Sequence, residues 1–322
     1  MLIQTLIMGL RDGFILVPLA LGVFISYRLL RVADMSVDGT FVLGGMVTAV
    51  LIRDATGPLV ATMAAVLAGA VAGTVTGLLN TRLGVKRILA GILVMTALYS
   101  VNGRIVGVWR PSVHPEDSLR DVARELAEYF YGSTDAHLFL GMKFIPEHVM
   151  SMLLYAAVTA LVVSLLLLFF HTRIGLAVRA AGSNDGAVRA IGANVPVLVT
   201  VALALANGLA AFSGALFVQE FEGIDITDGI GSIVTGLACV MIGHAVSARM
   251  RFSLQLLAAA GGALFYKLLV SALVSSEFLS SDVKLFTAII VLLAMMLPTW
   301  LRRGRRGPEA RPRALEIALV AA

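Results

Sequence analysis

The chain has 322 residues, of which 59% are hydrophobic and only 14% charged, with 25 basic against 20 acidic side chains and a mean hydropathy of +0.93. A soluble globular chain carries about 25% charged residues and is roughly half apolar. A soluble enzyme, a disordered protein and a secreted disulfide scaffold are therefore excluded. The composition is that of a polytopic membrane protein. It is expected to be all-α, because the apolar residues come in runs of about 20 and not in the alternating segments of about 10 that a barrel requires.

Taken in chain order, apolar windows predict about nine spans, roughly 9–30, 39–53, 57–81, 87–108, 149–170, 196–218, 229–248, 253–275 and 284–301. A bundle of about 8–10 spans is the expectation. The first apolar segment is too long for the core of a cleavable leader, so none is expected. The second span is short and follows the polar stretch Val32 to Thr40. A broken or re-entrant segment fits, since irregular backbone at membrane depth survives only against protein or water.

Two connections are long. The segment 109–148 contains an amphipathic helix over 117–131, with Leu119, Val122, Leu126 and Phe130 at helical spacing. It either caps the bundle or meets an external partner. The segment 171–195 predicts two short helical pieces, 175–181 and 185–191, joined at Gly182-Ser183-Asn184. Ser183, Asn184 or Asp185 can cap the second piece. The sparse charge and small residues of this segment suit a surface covered by another protein.

Basic residues fix the sides. Arg28, Arg31, Arg82, Lys86, Arg87, Arg173, Arg179, Arg189, Arg249 and Arg251, with the six arginines of 302–313, make 16 of the 25. The loops carrying them are expected to be cytoplasmic. This puts the 302–322 tail inside, the 109–148 loop outside, and the transmembrane domain at 1–301. The basic tail beside a span is an orientation signal, so no nucleic-acid partner is expected.

Cys239 has no second cysteine to pair with and lies in an apolar run, where it reads as a packing residue. The five histidines are scattered, no phosphate loop of the Gly-x-x-x-x-Gly-Lys-Ser/Thr type occurs, and no nucleophile elbow is present. No catalytic residue, metal site or cofactor is expected, and any energy for transport would have to come from a partner or an ion gradient. The remaining chemistry is in polar groups within or beside the spans: Asp34, Asp38, Asn80, Tyr99, Asn102, Arg104, Asn207 and Lys267. Each either bonds one helix to another or borders a ligand route. Gly69, Gly73 and Gly77, at i, i+4 and i+8, are expected to allow close helix packing.

Three segments carry a family resemblance. The first runs from Leu19-Ala20-Leu21-Gly22 through Ala33-Asp34-Met35-Ser36-Val37-Asp38-Gly39-Thr40-Phe41 to Leu43-Gly44-Gly45. The second is Leu89-Ala90-Gly91-Ile92-Leu93-Val94-Met95-Thr96-Ala97-Leu98-Tyr99-Ser100-Val101-Asn102. The third joins Thr172-Arg173-Ile174-Gly175 to Arg179-Ala180-Ala181-Gly182-Ser183-Asn184 and Ala190-Ile191-Gly192-Ala193-Asn194-Val195. Together they resemble the permease subunits of bacterial ABC importers of the branched-chain amino acid and ribose group. Within it, the second segment resembles a subgroup associated with tryptophan- and tyrosine-type substrates.

The resemblance implies a type II-like importer fold in the bacterial inner membrane, surrounded by lipid. It implies an ATP-binding cassette subunit, an extracytoplasmic substrate-binding protein and a second permease subunit, making a homodimer, as partners. The third segment is then the loop that docks on the ATPase, which carries over to Arg179, Gly182, Ser183, Asn184, Arg189 and Gly192. The route for a small solute, here an amino acid, is expected beside Asp34, Ser36, Asp38, Thr40, Tyr99 and Asn102, whose carboxylates can meet an ammonium group; alternatively Asp34 or Asp38 caps the second half-helix and touches no solute. An ion-gradient-driven secondary transporter is the competing reading. A membrane scaffold is a third, and it offers no reason for the break near 31–41.

Overall fold

A computed structural model describes residues 2–31, 33–106, 118–132, 137–139, 142–247, 250–274, 288–289 and 292–293. Eight helices among the described residues are long and apolar enough to cross a membrane. The chain is thus a multi-pass helical membrane protein, matching the first eight predicted spans. The expected ninth span lies outside the described residues apart from two short helical pieces, and the 302–322 tail lies wholly outside them.

The first long helix, α1 (Leu2–Val23), ends in a π-helical turn over Phe24–Leu29. After an irregular stretch come α2 (Ser36–Arg53), α3 (Pro58–Thr81) and α4 (Arg87–Val106). The short α5 (Leu119–Tyr131) and a ribbon of two three-residue strands, β1 (His137–Phe139) and β2 (Met142–Phe144), precede α6 (Pro146–His171). Two more short helices, α7 (Arg173–Ser183) and α8 (Asp185–Ala190), lead into α9 (Val195–Phe221). A 3-10 turn over Ile226–Gly229 precedes α10 (Ser232–Ser247), and α11 is Phe252–Val274.

Three local expectations are corrected. The break lies between the first and second spans, and α2 begins three residues earlier than the apolar pattern suggested, because polar partners satisfy its first turn. Gly182 and Ser183 belong to α7, so the bend falls on Asn184 alone. On α5 the buried stripe is Leu119, Ala123 and Ala127, while Val122 and Phe130 are exposed. Small side chains let α5 lie close on α6 and α9, which turns the larger ones outward.

The 27-residue α9 is the central post, packed on α1, α2 and α3. The α3 glycines permit the closest of these contacts. A Cβ on Gly69 would strike Ala211 and Asn207, one on Gly73 the Leu203 carbonyl, and one on Gly77 Thr200. Without a hydrophobic gain between helices in lipid, such backbone approach is how association is stabilised. Cys239 is fully buried, as a packing residue should be.

Candidate functional site

Of the six residues expected along a solute route, Asp34, Ser36, Asp38 and Thr40 lie at the start of α2, Asn102 reaches it from α4, and Tyr99 lies on α4. Asp34, in the irregular stretch before α2, is almost completely buried. Its Oδ1 accepts from the Ser36 N–H at 3.0 Å and from the Ser36 hydroxyl at 2.6 Å. Its Oδ2 accepts from Asn207 Nδ2 at 2.8 Å. Asn207 Oδ1 in turn faces the hydroxyls of Ser36 at 3.0 Å and Thr40 at 2.8 Å. Gly91 of α4 lies directly over Asp34 Oδ1 and the Met35 amide, where a side chain would intrude. The irregular backbone is thus satisfied by protein, as membrane depth demands.

Asp38 works in the opposite direction. Its carboxylate accepts from the Gly231 N–H at 3.1 Å, the Ser232 hydroxyl at 2.8 Å and the Ile233 N–H at 2.7 Å. These include the Ile233 amide in the first turn of α10, so Asp38 supplies the negative charge that a helix N-terminus favours. Asn102 donates to the Gly39 carbonyl at 3.1 Å, and among the described residues its own buried Oδ1 has no hydrogen bond. Tyr99, on the same helix, is the exposed member, at 46%.

The expected docking residues form a hairpin at the opposite kind of environment, the basic end. Thr172 caps α7 through Gly175 N–H at 3.2 Å. Asn184, one of the three candidates, caps α8 through Ala187 N–H at 3.1 Å. Gly182 sits so close to α1 that a Cβ would collide with the Leu29 carbonyl. Arg179 lies over the Phe252 ring, its guanidinium carbon 4.0 Å from the centroid, tying α7 to the start of α11. Ser183, Arg189 and Gly192 are exposed, Gly192 at φ +83°, and so is Ile191 beside it, at 81%. Hence the hairpin touches the π-helical end of α1 on one face and leaves a bare face on the other.

Sequence reasoning missed the ionic cluster at the far end. Arg11 of α1 pairs with Glu220 of α9 at 2.5 Å, both nearly buried, and with Asp12 at 3.0 Å. Arg120 of α5 joins Glu147 at the start of α6, at 2.7 Å, and Glu222, the left-handed cap of α9. Burial works against the charge on Arg120, but the Glu147, Glu220 and Glu222 carboxylates outweigh it and raise its pKa. The available signal was Arg11 itself, a lone cation in an apolar run that needs a buried partner.

A cavity of about 540 Å³ opens between α1, α2, α9, α10 and α11, bordered by Phe41, Phe217, Tyr266 and Lys267. Among the described residues no cluster of histidine, cysteine or acidic side chains could hold a metal ion.

A family model described as branched-chain amino acid transport system / permease component matches residues 5–297. The chain is 32% identical over 281 residues to a tyrosine transport system permease protein of Clostridioides difficile (strain R20291), covering 87% of each. It is 26% identical over 296 residues to an uncharacterized protein of Rickettsia prowazekii (strain Madrid E), covering 91% of this chain and 97% of that one. No solved structure matches it.

Proposed function

Because the chain belongs to the branched-chain amino acid transport system permease family, we propose that it is the membrane subunit of an ATP-driven importer of an amino acid, an aromatic one in particular. The relative described as a tyrosine transport system permease protein supports the cargo. Residues 1–301 form the permease domain in the cytoplasmic membrane, and the 302–322 tail is cytoplasmic. A separate ATP-binding cassette subunit hydrolyses ATP, an extracytoplasmic binding protein delivers the solute, and two copies of the permease enclose the route.

One observation carries this reading: the capped α7–α8 hairpin stands with Gly182 against the Leu29 carbonyl, at the π-helical end of α1. The irregular stretch that Asp34 and its partners hold follows directly. A push on the bare face of the hairpin reaches the break between α1 and α2 through backbone contact, with no soft side chain between. Packed interfaces of this kind switch between discrete arrangements. Arg179, Gly182, Ser183, Asn184, Arg189 and Gly192 transmit the ATPase stroke. Asp34, Ser36, Asp38, Thr40 and Asn102 hold the helix ends that border the route, and Tyr99 reaches it from the exposed face of α4.

The test is reconstitution with the ATP-binding subunit and binding protein in vesicles. ATP-dependent L-tyrosine uptake is expected, and Ile191→Asp should prevent co-purification of the ATPase while the permease melts as wild type does. Uptake driven by an ion gradient in vesicles without any ATPase would overturn the proposal.

A further inference from the structure

The 540 Å³ cavity falls in the range of roughly 300–1,000 Å³ typical of small-molecule sites. Its walls are mostly apolar, and its aromatic side is ordered. Phe41 meets Phe217 edge-on at 5.6 Å, and Phe217 meets Phe221 at 4.6 Å. Lys267 of α11 lines the same cavity. Among the described residues Lys267 has neither a hydrogen bond nor an ion pair. Of the acids on the rim, Asp12 is ion-paired with Arg11 at 3.0 Å, and Asp228 accepts from the Asp225 N–H at 2.7 Å; neither bonds Lys267.

Lys267 lies 15 residues into α11, about 22 Å along it at the helical rise of ~1.5 Å per residue. A cation inside a span is costly unless it faces water or an anion. No described carboxylate of this cavity pairs with Lys267, which leaves room for a bound anion. The wall opposite is fixed: Gly231 and Ser232 line the cavity and are the groups Asp38 holds. Phe41 lies two residues beyond Gly39, which packs on Leu98 of α4, so it points roughly 200° away around α2. The cavity is therefore on the other side of α2 from Tyr99.

Resting on the amino-acid importer reading, we propose that this cavity is a loading site within a single protomer. Lys267 binds the carboxylate of an aromatic amino acid there, and Phe41, Phe217 and Phe221 take its side chain. Asp38 is a positioning residue, holding the α10 wall without touching the ligand.

The experiment measures equilibrium binding of L-tyrosine, L-tyrosine methyl ester and tyramine to the full-length permease in phosphatidylcholine nanodiscs. The wild type should prefer tyrosine over the two carboxylate-free analogues by about tenfold or more. Lys267→Met should abolish that preference, and Lys267→Arg should keep it. Val270→Trp, which fills the cavity, should remove binding of all three, with melting temperatures reporting that the variants are folded. Equal binding of tyrosine and its ester by the wild type, or an unchanged preference in Lys267→Met, overturns the assignment. So does a Lys267-dependent retention of phosphatidylglycerol without any tyrosine preference, which would give the lysine to a lipid phosphate. ATP-dependent uptake in the assembled transporter reads the importer proposal separately: uptake indifferent to Lys267→Met sinks the cavity alone, whereas no uptake of any amino acid sinks both.

Discussion

Asn207 of α9 donates a 2.8 Å hydrogen bond to Asp34, 173 positions earlier in the chain. The pair joins the central post of the bundle to the irregular stretch between α1 and α2, and Ser36 and Thr40 complete the same cluster. Removing Asn207 strands several buried partners at once. Asn207→Ala should therefore lose about 1–3 kcal/mol of stability, since each buried group left unsatisfied is costly. Its melting temperature in detergent should fall, and the loss should be less than additive with Asp34→Asn because the two share one network. An unchanged melting temperature in Asn207→Ala would remove the cluster from the account of how α2 is held.

Gly182→Val places its side chain where the Leu29 carbonyl now lies. The hairpin must then move off α1. Membrane insertion should remain normal while uptake falls at least tenfold. Gly186→Ala is the control, because its added Cβ meets only Asn184 Oδ1, at 3.4 Å. If both variants transport at wild-type rates, the contact does not carry the stroke.

The Arg11–Glu220 pair is nearly buried, so Arg11→Ala strands the Glu220 carboxylate, whereas Glu220→Ala leaves Arg11 on Asp12 at 3.0 Å. Arg11→Ala should cost about 3–5 kcal/mol and Glu220→Ala less, whereas the double replacement Arg11→Met/Glu220→Leu should be milder than Arg11→Ala alone. Thermal melts of the set decide this. A double variant as unstable as the sum of the two singles would contradict it.

Orientation is open to impermeant thiol labelling in intact cells, because the native Cys239 is buried. Tyr129→Cys on α5 is 83% exposed in the parent residue and should label from outside; Ser183→Cys at the hairpin should not. The reverse pattern would invert the whole topology.

Much of the fold was legible in the sequence because lipid imposes a simple constraint. Every spanning backbone must satisfy itself, so long apolar runs are helices wherever they pack. Eight of the predicted spans follow from that alone, while the glycine stripe of α3 and the capped pieces before α9 follow from local spacing and capping residues. The turn of α5 was misjudged because hydrophobicity ranks Val122 and Phe130 above Ala123 and Ala127. Close packing on α6 and α9 ranks them the other way.

The sequence by itself determined the class of the molecule, the eight spans found among the described residues, and the segments that would carry chemistry, since these rest on composition and local periodicity. Only the tertiary structure decided what those residues do to one another. Asp34 and Asp38 read as two equivalent carboxylates four residues apart, yet one is tied to Asn207 in α9 and the other to the first turn of α10. Arg11 finds Glu220, and Gly182 finds Leu29, across separations that no local pattern encodes. The physical reason is that a buried polar group is defined by its partner, and in a helical bundle the partner comes from another helix.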